Sequence, residues 1–220
     1  MPQNYLNVLK KTENENTAKK TKTTKTIHGI EKQTTKETAD QIQQGIAKEI
    51  LRFHVLANSD SEEDQKLKLE VKDRLVDYMK DILDGAEDVK ETKKRITENQ
   101  ETICLVAEQE IQKQGYTYPV SVNLEKCYFP MKTYGDCTFP AGTYEALRVC
   151  IGKAKGRNWW CVLYPGLCFA DSVNVIVPDE KKQELKNILT EEEYESLFDW
   201  REDDYQIRSG FLRLWRKLFA

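Results

Sequence analysis

The chain has 220 residues, a formal net charge of −3 and a hydrophobic share of 39%. This length suits one domain of ordinary size, and the slightly acidic charge gives no overall electrostatic case for binding nucleic acid. No run of about 18 apolar residues occurs, and residues 1–11 lack the apolar core of a secretory signal, so the residues alone predict a cytoplasmic protein that does not span a membrane.

The first part of the chain is poor in apolar residues. Residues 10–44 are nearly all Lys, Thr, Glu, Gln and Asn, and such a stretch cannot bury enough surface to offset its conformational entropy. We therefore predict a disordered Lys/Thr-rich tail over residues 1–44 and a single α+β domain over residues 45–220. The lysines of the tail are diluted by Thr and Glu, which favours a solvated segment over a polybasic membrane patch.

The domain is predicted to begin with one strand and two helices. Apolar residues alternate over residues 51–57, which is the period of a strand, and the segment 58–61 supplies helix N-caps. A helix follows, with apolar residues three or four apart from Leu67 to Ile82, and Gly85 ends it. A second helix is predicted over residues 87–114, with Gly115 as its stop.

The pattern then changes to strands. Residues 118–124 and 147–151 alternate between apolar and polar, and the Gly-rich segment 152–158 leads to a further strand over 159–163. We interpret the last two strands as a hairpin. Helices are predicted over 179–189 and 207–218; the second either docks on the sheet or lies on a membrane surface. The fold class is thus α+β, an antiparallel sheet with helices packed on one face.

Six cysteines occur without any Cys-x-x-Cys pair, so the sequence gives no sign of a zinc site. The pairs Cys127–Cys137 and Cys161–Cys168 are candidate disulfides, and the other thiols are expected to be buried and reduced. The acidic segment 58–64 lacks the glycine of a calcium loop, and the segment 152–158 lacks the P-loop pattern. No metal ion and no cofactor is predicted.

A thiol hydrolase is the enzymatic alternative. It would need a cysteine, a histidine that activates it and a group that orients the histidine. Cys161 with His54 is the candidate pair, because the other histidine, His28, lies in the predicted tail. The competing interpretation is that His54 fills a polar face of its strand.

The segment 158–168 (NWWCVLYPGLC) is the most unusual part of the chain. Adjacent tryptophans are large apolar anchors that a protein buries or uses to hold a partner. Together with the segment 52–61 (RFHVLANSDS), it points to a signalling protein. We predict partner binding by Trp159, Trp160, Tyr164 and Pro165, with Asn58 and Asp60 as second choices. The rival interpretation places both tryptophans in the core.

These segments resemble the stage II sporulation protein R family of endospore-forming bacteria. The resemblance covers about residues 50–171 and rests on the segments 52–61, 64–65, 67–69, 128–130, 134–135, 140–148 and 158–169, with Lys132. Relatives often have Pro-Pro where this chain has Pro165-Gly166, and they usually begin with an export signal that is not legible here.

The resemblance implies a function without catalysis. Members of the family are made in the forespore and exported into the space between the forespore and mother-cell membranes. There they activate a membrane-embedded aspartic protease, the sigma-E processing peptidase, which cleaves pro-sigma-E in the mother cell. By this resemblance the chain is a secreted partner of that peptidase and not itself an enzyme. It would act at a membrane surface without spanning the membrane.

Overall fold

The computed structural model of the protein describes residues 39–169 and 176–198. Most of the predicted tail and the predicted helix over 207–218 lie outside these residues. The first described element, helix α1, covers residues 39–49 and so crosses the predicted boundary at residue 44. No helix in the described part of the chain is long and apolar enough to cross a membrane.

The elements after α1 follow in the order strand, three helices, five strands and two short helices. Their bounds are β1 Leu51–Leu56, α2 Glu62–Leu83, α3 Val89–Glu98, α4 Gln100–Lys113, β2 Val120–Phe129, β3 Lys132–Tyr134, β4 Cys137–Phe139, β5 Gly142–Ile151, β6 Asn158–Tyr164, α5 Asp179–Ile188 and α6 Glu191–Ser196. A single 3-10 turn, Leu167–Phe169, follows β6.

Four strands form the main sheet in the order β2-β5-β1-β6. Strand β1 lies parallel to β5 and antiparallel to β6, so that Phe53 faces Leu147 on one side and Cys161 on the other. The predicted hairpin of β5 and β6 is therefore wrong, because β1 is inserted between them. The rest of the sheet is antiparallel, as predicted.

The loop of residues 152–157 makes this insertion possible by crossing the end of β1. The side chain of Asn58 accepts a hydrogen bond from the backbone N–H of Lys153 (2.9 Å), and Asp60 accepts one from the backbone N–H of Arg157 (2.6 Å). The loop and the segment after β1 lie so close together that a Cβ on Gly156 would clash with the backbone carbonyl oxygen of Ser59. Only a residue without a side chain fits there.

Helices α2, α3 and α4 cover one face of the sheet, here called the helix face. Ser61 caps α2 by accepting a hydrogen bond from the backbone N–H of Asp64, as the sequence predicts. Apolar side chains of the helices and of four strands form a continuous core on this face, which includes Leu51, Phe53, Val55, Leu67, Val71, Leu75, Met79, Ile96, Ile103, Ala107, Val122, Leu147, Val149 and Leu163. The predicted α+β class with helices on one face is confirmed.

The single helix predicted over 87–114 is in fact two helices. α3 ends at Glu98 and α4 begins at Gln100, with Asn99 between them. Asn99 donates from its side chain to the carbonyl of Arg95 (2.8 Å) and accepts a hydrogen bond from the Tyr78 hydroxyl (3.2 Å). An asparagine that bonds its own helix terminus ends the helix, and the apolar spacing alone does not reveal this.

The opposite face of the sheet, here called the hairpin face, is covered by the two-stranded unit β3–β4. Residues Arg52 and His54 of β1 point to this face, and both are buried, at 0% and 4% exposure. The hairpin is held from its far side, since the backbone N–H of Thr138 donates to the carbonyl of Leu197 (2.7 Å). Lys182 of α5 also forms an ion pair with Asp136 in the turn between β3 and β4 (2.6 Å).

Candidate functional site

A groove runs along the outer edge of β6. Among the described strands β6 pairs with β1 alone, so its other edge carries backbone groups without a neighbouring strand. The groove has a volume of about 570 Å³ and is lined by β6, the 3-10 turn, α2 and the turn of the β3–β4 hairpin. We call it the β6 groove; its lining includes Trp159, Trp160, Cys161, Cys168, Tyr134 and Ile176.

The two tryptophans line this groove from opposite faces of the sheet. On the helix face, Trp159 lies edge-on to Phe53 with ring centroids 5.6 Å apart. On the hairpin face, Trp160 stacks on His54 (4.9 Å) and meets Phe129 edge-on (4.7 Å). Both tryptophans are half-buried. Each therefore packs on the core with one side and borders the groove with the other, so a core role and a contact role are compatible.

Cys161 and Cys168 meet at the wall of the groove. Both thiols lie within hydrogen-bond distance of the Val162 carbonyl oxygen, with sulfur–oxygen distances of 3.7 and 3.1 Å. Burial and the neighbouring Cys161 thiol raise the pKa of Cys168 well above its ordinary value. All six cysteines are free thiols in the structure, and the two disulfides stay predictions. Cys161 and Cys168 are close neighbours, whereas Cys127 on β2 bonds Glu125 and Cys137 lies buried on β4.

Tyr164 and Pro165 lie on the helix side of the sheet. The Tyr164 hydroxyl donates to the carbonyl of Glu87 in the loop between α2 and α3 (2.9 Å), and Pro165 is buried. The peptide bond between them is cis. Neither residue lines the β6 groove. The predicted contact set is thus divided: the two tryptophans share one groove and this pair does not reach it.

Asn58 and Asp60 hold the loop of residues 152–157, as described above. Asn58 also donates to Asp64 at the start of α2 (2.8 Å). This hydrogen bond joins β1, the crossing loop and the first turn of α2 at one asparagine. The geometry explains both residues through the fold, and their predicted partner contact stays a prediction.

The geometry does not support a Cys161–His54 pair. Cys161 is the register partner of Phe53, whereas His54 faces Trp160. Since successive side chains of a strand point to opposite faces, Cys161 and His54 lie on opposite sides of the sheet. Within residues 39–169 and 176–198, neither ring nitrogen of His54 has a hydrogen-bond partner. The geometry of this site therefore does not support the alternative of a thiol hydrolase.

His54 is buried in an apolar and cationic environment instead of filling a solvated polar face. Burial lowers its pKa from 6.5 to about 4; the charge of Arg148 adds to this effect, Glu125 opposes it, and Arg52 adds a smaller contribution. Glu125 and Arg148 form an ion pair (2.8 Å) beside the ring. His54 is therefore a neutral imidazole at pH 7.

Sequence reasoning missed Arg52 altogether. Its guanidinium carbon lies 4.6–5.5 Å from the centroids of four aromatic rings, here called the Arg52 cage: Phe129, Tyr134, Phe139 and Tyr144. Among the described residues, Arg52 forms one side-chain hydrogen bond, from Nη2 to the Tyr134 hydroxyl (3.0 Å). The available signal was an arginine at the centre of an otherwise apolar stretch, flanked by Leu51 and Phe53.

The chain was compared with known proteins. A family model described as stage II sporulation protein R matches residues 47–174. This chain belongs to that family. The match includes all six strands and most of the lining of the β6 groove. The stage II sporulation protein R of Bacillus subtilis strain 168 is 33% identical over 174 residues, which is 77% of this chain and 76% of the relative. No solved structure matches the chain significantly.

No cluster of three or more His, Cys, Asp or Glu side chains within residues 39–169 and 176–198 could hold a metal ion. The site therefore combines the two tryptophans with the charged side chains of Lys72, Asp73, Asp77 and Lys80 on α2. It also has a strand edge that no described strand covers, and the buried Arg52 and His54 lie behind it. Such features suit recognition of another molecule.

Proposed function

We propose that this protein is an exported signal that activates the membrane-embedded sigma-E processing peptidase during sporulation. The peptidase, an aspartic protease, then cleaves pro-sigma-E in the mother cell. The forespore exports the signal into the space between the two membranes, and the signal acts at the membrane surface without crossing it. Family membership supports this proposal, and the matched region, residues 47–174, contains the segments 52–61, 140–148 and 158–169.

The β6 groove is the observation that carries the proposal at the level of residues. It combines a strand edge that no described strand covers with two half-buried tryptophans, and tryptophan is enriched among the residues that dominate binding energy. The open edge offers backbone donors and acceptors to an extended segment of a partner. We therefore assign the groove, with Trp159 and Trp160, as the surface that contacts the peptidase.

The test is reconstitution of the protein with the peptidase in liposomes and with pro-sigma-E as substrate. Ile176 borders the groove and is 58% exposed, so Ile176→Arg fills the groove without disturbing the core. Leu105 on α4 is similarly exposed at 54% and lies away from the groove, which makes Leu105→Arg the matched control. We expect Ile176→Arg to slow cleavage at least tenfold and Leu105→Arg to leave it unchanged. Equal rates for both variants would refute the assignment of the groove.

A second variant separates contact from folding. Trp160→Ala should be measured for pro-sigma-E cleavage and for thermal unfolding together. Lost cleavage in a protein that still melts cooperatively above the assay temperature supports a contact role. Full cleavage by a folded Trp160→Ala protein contradicts it. Cleavage of pro-sigma-E by this protein in the absence of the peptidase would overturn the proposed function itself.

A further inference from the structure

Arg52 is a fully buried cation that has no counter-ion within residues 39–169 and 176–198. It is 0% exposed, and its Nε and Nη1 atoms have no hydrogen-bond partner in the described part of the chain. It takes part in none of the ion pairs that the described residues form. A buried charge normally has a partner of opposite charge, because removal from water is costly. Cation–π contacts with the Arg52 cage offset only a part of that cost.

The polar partner that the described residues give Arg52 does not neutralise its charge. The Tyr134 hydroxyl accepts the hydrogen bond from Nη2, and burial raises the pKa of this hydroxyl, so that it stays protonated and uncharged. Tyr134 itself is half-buried and lines the β6 groove. Its ring is therefore the partition between the guanidinium and the groove.

His54 repeats this arrangement two residues along the same strand. The side chain is 4% exposed, and neither ring nitrogen has a hydrogen-bond partner among the residues that the structure describes. Its ring stacks on Trp160, which also lines the groove. Two buried polar groups on one face of β1 thus lie directly behind two aromatic rings that border the same groove. Phe129 contacts both of them, at 4.6 Å from the guanidinium carbon and 5.2 Å from the imidazole ring.

We propose that the β6 groove ends in a carboxylate-binding subsite, in which Arg52, with His54 beside it, receives an acidic side chain of a bound partner segment after Tyr134 turns aside. Charge complementarity identifies the occupant as an Asp or Glu residue within an extended segment. A guanidinium presents two parallel N–H donors that match the two oxygens of a carboxylate. A neutral imidazole adds one N–H donor. The aromatic surroundings favour a single negative charge over a dianion, because burying charge in an apolar environment is costly.

This inference rests on the proposed function only for the identity of the partner. The subsite itself is a property of the isolated chain. It can therefore be tested without the peptidase, with acetate as the smallest carboxylate.

The experiment uses the full chain with 15N-labelled arginine. Sodium acetate is titrated against sodium chloride at equal ionic strength while the Arg52 Nε–Hε resonance is followed. We expect a saturable shift of this resonance with acetate alone. In Arg52→Gln, the increase in melting temperature that acetate causes should be at least tenfold smaller than in the wild-type protein. Arg148→Gln is the matched control, because Arg148 already pairs with Glu125 and lies on the same face, and it should keep the acetate response.

Other results of these titrations contradict the carboxylate-binding subsite. If the Arg52 resonance does not respond to acetate, the subsite does not exist. This measurement uses the wild-type chain, so it remains valid even if Arg52→Gln fails to fold. A tighter response to inorganic phosphate than to acetate refutes the carboxylate class. In the reconstituted system, Arg52→Gln should bind the peptidase at least tenfold more weakly than Arg148→Gln. Failure of the wild-type protein to bind the peptidase refutes the proposed function and leaves the acetate result as the separate test of the subsite.

Discussion

The two faces of the main sheet are built differently although they share the same strands. The helix face is an apolar core in which residues such as Phe53, Val55 and Val149 are fully buried under three helices. The hairpin face buries an arginine and a histidine under aromatic rings, and four of their nitrogen atoms have no hydrogen-bond partner in the part of the chain that the structure describes. We infer that the helix face provides most of the stability of the fold. The polar groups buried on the hairpin face lower the stability and form a site that adjoins the β6 groove.

The largest expected effect lies on the helix face. Phe53→Ala removes a fully buried ring at the centre of the core, and substitutions of this kind cost about 3–5 kcal/mol. Urea unfolding should therefore show a much lower midpoint with an unchanged slope. A loss below about 1 kcal/mol would contradict the view that this face carries the stability.

The next effect concerns His54 and its pH dependence. Because the folded pKa is about 4 and the ordinary value is 6.5, the unfolded chain binds a proton between these values and the folded chain does not. Stability is therefore complete above about pH 6.5 and falls as the pH drops towards 4, by roughly 3 kcal/mol in total. His54→Gln should lose this part of the pH dependence in urea unfolding at a series of pH values. An identical profile for the variant would place the titration elsewhere.

Arg52→Met is the substitution that separates the two faces most sharply. Replacing a buried, unpaired charge with an apolar side chain of similar length should raise the free energy of unfolding by about 1 kcal/mol, because no ion pair is lost. The change in the free energy of unfolding should therefore have the opposite sign from that of Phe53→Ala. Destabilisation by several kcal/mol would mean that the guanidinium holds the hairpin in place and that the face is structural.

The smallest effect is at the edge of the hairpin face. Glu125 and Arg148 are 39% and 37% exposed, and pairs of this exposure contribute about 0–1 kcal/mol. Glu125→Gln should hardly change stability. It should lower the pKa of His54 further, since the Glu125 carboxylate is the group that raises it. An NMR titration of the imidazole checks this direction, and a rise in the His54 pKa would be the contrary result.

The helix face was largely predictable from the sequence, and the hairpin face was not. Spacing from Leu67 to Ile82 and the cap at Ser61 define α2, because a helix that packs on a sheet must repeat its apolar residues every three or four positions. The break between α3 and α4 at Asn99 was not predicted, because it depends on one hydrogen bond from the Asn99 side chain to the carbonyl of Arg95. Alternation along β1 predicts a strand but does not tell a buried face from a solvated one.

The strand order and the Arg52 cage depend on contacts between distant parts of the chain. A six-residue loop such as 152–157 can close a hairpin or cross a strand, and the choice rests on Asn58 and Asp60, which the sequence analysis assigned to helix capping and a partner. The cage consists of residues from β2, the hairpin and β5, far from Arg52 in sequence. Local patterns do not contain such information.

Hydrogen exchange of this protein with and without the reconstituted peptidase tests the central claim most directly. The account predicts that the peptidase slows exchange of the outward backbone N–H groups of β6, residues Asn158–Tyr164, and of the hairpin turn at Gly135, while α4 on the helix face keeps its rates. Protection of α4 with unchanged exchange along β6 would contradict the assignment of the groove as the contact surface.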